Sequence, residues 1–105
     1  FGKASAEINW SKPATDVYNM IRAANPAPGA WTTIAGSELK IYDSARVDGI
    51  GMAGEVVSVG GDGVTVQAEG GRILIKRVRP AGGGKMAASE WAAATGVNSG
   101  TKLGS

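Results

Sequence analysis

The chain contains no cysteine and no histidine. Without cysteine there is no disulfide, which fits a cytosolic origin. Without histidine there is no imidazole to move protons near neutral pH. With both residues absent, the usual zinc ligand sets are excluded. No apolar run approaches the ~20 residues that a bilayer-spanning helix needs. Aromatic residues are few: three Trp, two Tyr and one Phe. Acids fall singly along the chain, so a catalytic carboxylate pair would have to assemble in three dimensions.

What is present suits one globular domain. A length of 105 residues allows a modest core. Hydrophobic content of 43% and charged content of 19% are ordinary. Glycine is the outlier, at 17 residues, and most of it separates runs of Val and Ile as turns would. The chain opens on Phe1 rather than Met, so the expectation is a piece of a longer protein. A formal charge of +2 defines no partner, but the charge is unevenly placed. Arg72, Lys76, Arg77, Arg79 and Lys85 share one window that holds no acid. Nine acids face the six remaining bases, so the rest of the chain is net negative by three.

The periodicity divides the chain into a helix, a set of strands and a second helix. Residues 1–9 read as an incoming linker or edge strand, 10–96 as the folded unit and 97–105 as a polar, frayed tail. Ser11 is a candidate N-cap, and Pro13 is tolerated in a first helical turn. Val17, Ile21 and Ala24 fall on one helical face, with Met20 beside them. Asp16 early and Arg22 late both complement the helix dipole. Asn25-Pro26 ends the helix, because a residue before proline avoids the α region. Pro28-Gly29 suits the centre of a type II turn.

From Ala30 the period changes to two. Trp31 to Ile34 is a short strand. Leu39, Ile41, Ala45 and Val47 alternate with Lys40, Tyr42, Ser44 and Arg46. Asp43 interrupts the apolar face, which predicts an edge or a bulge near the middle of that strand. Gly54 to Val59, Val64 to Ala68 and Arg72 to Val78 are three more strands. Gly60-Gly61-Asp62-Gly63 and Gly70-Gly71 join them as hairpins. Five strands with tight turns predict a small barrel or curled sheet. Met86 to Thr95 reads as a short helix, with Gly96 as its C′ residue.

Several motifs have a functional and a bland reading. Gly49-Ile50-Gly51-Met52-Ala53-Gly54 fits the dinucleotide pattern, but a strand follows it where a helix N-terminus is required. A mobile turn that binds no nucleotide is the expectation. Gly82-Gly83-Gly84-Lys85 hints at a phosphate loop, but Met86 stands where Ser or Thr belongs. Trp10, Trp31 and Trp91 suit core packing better than base stacking. Tyr42, on the polar side of its strand with Lys40, is the ring expected to be exposed for stacking. In the basic window, Arg77 and Arg79 are expected on one strand face and Lys76 on the other. They bind phosphates or form a solvated strand paired with Glu38, Asp43 and Glu69.

One resemblance covers nearly the whole chain. Ile8-Asn9-Trp10-Ser11-Lys12-Pro13-Ala14, then Ile21-Arg22-Ala23, then Asn25-Pro26-Ala27-Pro28-Gly29-Ala30 follow in order. Leu39-Lys40-Ile41, Ala53-Gly54-Glu55-Val56 and the stretch from Val78-Arg79-Pro80 to Glu90-Trp91 continue it. This resembles the C-terminal domain of the formyltransferases that use 10-formyltetrahydrofolate. Their members act on methionyl-tRNA, sugar amines or folate itself. The resemblance implies a mainly β fold with flanking helices: a small open β-barrel similar to an OB-fold, one helix near the N-terminus and a short one near the C-terminus. It implies a cytoplasmic parent enzyme whose chemistry and 10-formyltetrahydrofolate lie in a separate catalytic domain. Beside such an enzyme, Asn9-Trp10-Ser11 reads as helix-start chemistry rather than a glycosylation sequon. Ala87 stands where the family often has Ser or Thr as an N-cap. That predicts a late helix start, with Ser89 capping, or a weaker helix.

Two roles follow from the resemblance. One is an accessory module that assists substrate binding, with tRNA as partner and Lys76, Arg77, Arg79, Lys85 and Tyr42 as contacts. The other is a structural module packed on the catalytic formyltransferase domain of the same chain. Neither needs a catalytic residue, a metal or a membrane here. The isolated chain is therefore expected to show no turnover of 10-formyltetrahydrofolate. A pure preparation that exceeds a heat-killed control in that assay would overturn the expectation.

Overall fold

Short runs of β-branched residues punctuated by glycine favour short hairpins, and an antiparallel sheet is what forms. The computed structural model describes residues 2–104; Phe1 and Ser105, the outer ends of the expected linker and tail, lie outside them. A short 3-10 turn at Ala4–Ala6 precedes helix α1 (Ala14–Ala24). Strands β1 (Ala30–Ile34), β2 (Ser37–Val47), β3 (Val56–Gly60), β4 (Gly63–Ala68) and β5 (Gly71–Pro80) follow. The two-residue strand β6 (Met86–Ala87) then leads into helix α2 (Ala88–Thr95). The strand order is β1-β2-β5-β4-β3, and β6 pairs with β5. The sheet curls without closing, which makes a small open barrel with flanking helices.

The hairpins expected at the glycines are present. Gly61-Asp62 joins β3 to β4, and Glu69-Gly70 joins β4 to β5. A third two-residue turn, Ala35-Gly36, joins β1 to β2 with positive φ at both positions (48° and 82°). That is the type I′ pattern, which matches the twist of the strands it connects. β2 is a central strand rather than an edge, and it carries the expected bulge: its register with β5 shifts on both sides of Asp43.

Helix α1 buries Ala14, Val17, Ile21 and Ala24, with Met20 half-buried beside them. It packs chiefly on β2 and β5. Ser11 does not cap it. Ser11 lies in a turn, where the Lys12 N–H donates to Asn9 O, and Pro13 then bridges Glu69: the Glu69 N–H donates to Lys12 O, and the Ala14 N–H donates to Glu69 O at 2.9 Å. A main-chain carbonyl therefore satisfies a first-turn donor that a side-chain cap usually takes. The Ser11 N–H is held by Asn9 Oδ1 instead. Gly29 has φ +85°, as the turn after the helix requires, and its N–H donates to Ala24 O. At α2, Met86-Ala87 is drawn into pairing with β5, so the helix starts at Ala88 with no side-chain cap and Ser89 lies inside it. Gly96 ends it in the left-handed conformation, as expected.

Trp10 and Trp91 are core residues, and the Trp10 Nε1–H donates to buried Thr32 Oγ1 at 3.0 Å. Trp31 is half-buried and donates to Lys3 O. The tail is not frayed. Val97 and Leu103 are buried. The Val56 N–H donates to Thr101 O, the Leu103 N–H to Gly54 O and the Gly104 N–H to Thr33 O, the last at 2.7 Å. The tail thus lies between the two open edges of the sheet, bonded at Val56 of β3 and at Thr33 of β1.

Ile21 has no exposed surface and sits where α1 meets the sheet. Ile21→Ala should lower stability by about 2–5 kcal/mol, the range for truncating a buried aliphatic side chain. Chemical denaturation of the two proteins measures it. A loss of about 0.5 kcal/mol, typical of a surface site, would mean that the helix face is wrongly assigned.

Candidate nucleic-acid interface

The basic window lies on β5 and on the connection that follows it. Regular alternation would turn every second side chain inward, but opposed bulges break the pattern in β2 and β5. Ile41 pairs with Val78 and Ser44 with Ile75, leaving Tyr42 and Lys76 as the extra residues around the Asp43–Arg77 pair. Lys76 and Arg77 are consequently both exposed, although Val78 and Ile75 beside them are fully buried. Arg79 and Lys85 are exposed as well.

Each of the last two bases has its own support. The Arg79 Nε–H donates to Gly83 O at 3.0 Å, which ties the glycine run back onto its strand. Lys85 Nζ lies 4.3 Å from the centre of the Tyr42 ring, a cation–π distance. Among the described residues none of the four is in an ion pair. The expected pairing with Glu38, Asp43 and Glu69 does not form. Glu38 binds Lys3 at 2.6 Å. Asp43 faces Arg77 across the strands without a salt bridge.

Tyr42 is not exposed. Only 7% of it is accessible. The bulge takes it out of step with Lys40, Lys85 covers its ring, and the backbone of Gly29 approaches its edge so closely that a Cβ there would lie 3.3 Å from the ring. It is a platform for Lys85 rather than for a base. Arg72, the remaining base of the window, is turned to structure. It is half-buried, donates through Nε to Gln67 Oε1 at 2.8 Å and through Nη2 to Ile50 O.

The strand pairing adds Lys40, which sits directly across from Arg79. Lys40, Arg79, Glu38 and Pro80 line a depression of about 130 Å3. Only the pairing of β2 with β5 brings Lys40 here, so no local pattern in the sequence marks it. A second basic pair lies on α1 and β2: Arg22 and Arg46 each approach the Tyr18 ring, at 5.6 and 5.5 Å. The window can attract phosphate by charge. Among the described residues no group of His, Cys, Asp or Glu is placed to hold a metal, and no helix is long and apolar enough to cross a membrane.

The dinucleotide-like segment is held rather than loose. It carries the chain from β2 across β5 and β4 to β3 at the far edge. Gln67, 1% exposed, donates through Nε2 to Gly49 O at 3.0 Å, and also to Ala68 O and Gly71 O. Gly49 passes so close to the Arg72 guanidinium that a Cβ there would collide with it. A strand follows the segment, as expected, so no helix N-terminus stands ready for a phosphate.

Comparison with known proteins gives the lineage. The profile of the formyl transferase C-terminal domain matches residues 2–96. A methionyl-tRNA formyltransferase from Chromobacterium violaceum is 41% identical over 97% of this chain and 33% of its own length. One from Moorella thermoacetica is 48% identical over 80% of this chain and 28% of its own. This chain therefore spans about a third of the length of these relatives. HypX from Aquifex aeolicus, solved in complex with tetrahydrofolic acid, superposes with a TM-score of 0.76 at 18% identity, over 88% of this chain and 17% of its own. That identity speaks for the fold alone. The matched profile and the identity to the two transferases together establish that this chain belongs to the formyl transferase C-terminal domain family.

Proposed function

We propose that this chain is the non-catalytic accessory domain of a 10-formyltetrahydrofolate-dependent formyltransferase, and that it helps hold the substrate, tRNA, through its basic strand. The observation that carries this reading is the set of four exposed bases, Lys76, Arg77, Arg79 and Lys85, without an ion-pair partner among the described residues. Paired bases would meet phosphate only after giving up a carboxylate; these have none to give up. Lys40 extends the set across the strand pair. The sequence identity to transferases named for methionyl-tRNA favours tRNA over a small amine.

The parent's catalytic domain would hold the folate and supply the formyl group. On this reading no folate site is needed here, and one depression of about 500 Å3, with Glu7, Asn9 and Trp10 among its lining, offers no cation for the folate's glutamate carboxylates. Charge contact with phosphates fixes position but carries no base sequence. On this reading the domain anchors the acceptor while another domain reads it.

Phosphate contacts release counterions, so binding must weaken as salt rises. With three or four contacts, tRNA should bind in the non-specific range, roughly 10⁻⁴ to 10⁻⁶ M. Arg77→Ala combined with Arg79→Ala should weaken different RNAs alike and flatten the log–log salt slope by about 0.7–0.9 for each phosphate no longer neutralised. Gel shifts with bulk tRNA at about 50 and about 200 mM salt measure both effects. No shift at the lower salt would favour the structural role, in which the domain only packs on its catalytic partner.

A further inference from the structure

The connection from β2 to β3 presents apolar side chains to solvent. Ile50 is 84% exposed, Met52 64% and Val47 41%. Isolated exposed apolar residues are common, but these fall close together on one stretch of chain. The stretch is also firmly held. Gln67, a buried amide, and Arg72 take the carbonyls of Gly49 and Ile50. The Gly54 N–H donates to Gln67 O, and the Glu55 N–H donates to Met52 O. A buried polar side chain costs free energy unless it is bonded, and here that bonding fixes a surface loop. A loop fixed in shape before binding loses little entropy when a partner covers it.

We infer that Val47, Ile50 and Met52 form the docking surface for the catalytic domain of the same polypeptide. The inference rests on the reading of this chain as an accessory domain that follows a catalytic domain. Three observations point to that occupant. The relatives hold roughly two thirds of their length outside the matched region, so a large body is available. The incoming segment lies against the same loop: Ala4, Glu7 and Trp10 line one depression together with Ala53 and Gly54. A domain tethered through that segment is brought to this face. The cations beside the loop are already engaged: Arg72 with Gln67 Oε1 and Ile50 O, Lys102 with Glu55, and Arg46 with Thr15 Oγ1. What the loop itself offers is apolar side chains, which fit an apolar protein surface better than a phosphate backbone.

Hydrogen exchange tests it. Among the described residues the N–H groups of Ile50, Gly51 and Met52 donate no hydrogen bond, so they should exchange quickly in the isolated chain. In the full-length protein they should slow by about tenfold or more. Ile50→Ser with Met52→Ser should restore fast exchange at residues 50–52 in the full-length protein and leave the denaturation midpoint of the isolated chain unchanged. Equal exchange in the two wild-type proteins would overturn the docking surface alone. Protection in the isolated chain that rises with concentration would assign the surface to a second copy and overturn it too. Tetrahydrofolate binding by the full-length protein, read by calorimetry, checks the reading beneath; a full-length protein that does not bind it removes both.

Discussion

A sheet that curls without closing leaves two rows of unpaired backbone groups, and the rest of this molecule is arranged around covering them. The edges are β1 and β3. The incoming segment covers part of the first, with the Ile8 N–H donating to Trp31 O. The outgoing tail bonds both, at Val56 and at Thr33. Both chain ends therefore become structural, and Ile8, Trp10 and Leu103 are core residues despite their places in the sequence. β5 gains from this arrangement. It pairs with β2, β4 and β6, so the bases it carries stand on a strand bonded along both sides.

The second demand comes from topology. β2 and β3 are consecutive, but β5 and β4 lie between them, so the connection must cross two strand ends. Its carbonyls need partners during the crossing, and Gln67 on β4 and Arg72 on β5 provide them. Glycine at position 49 lets the chain pass close to the guanidinium. The same glycines that imitate a nucleotide motif in the sequence thus answer a steric need, and the positive charge of Arg72 is turned to structure rather than to the basic surface.

Much of the fold was legible because its signals are local. The α1 face, the glycine hairpins, the bulge at Asp43 and the Gly96 terminus each follow from a few adjacent residues. The features that were not legible depend on distant partners. Ser11 is a sound capping residue, but nothing near it shows that Glu69 will supply the bond. The tail looks polar and loose until two open edges require it. Tyr42 looks exposed by alternation, and the same bulge that Asp43 foretells moves it inward beneath Lys85. The position of the basic side chains was readable in part. That Arg72 is held back and Lys40 added depends on strand register, which periodicity does not encode.

The opposed bulges tie the lengths of two distant segments together. Ile41 to Ser44 spans the same number of residues as Val78 to Ile75, so the extra residue in β2 is cancelled by the one in β5 and the register resumes. Because side chains alternate across a strand, removing one residue from a single partner would turn everything beyond it to the opposite face. Ile73 and Ile75 would then point at water and Arg72 at the core. The extra residue in each strand is thus accommodated only because the partner carries one at the same place, and a change of length is absorbed more readily at the turns than between Ile41 and Ser44.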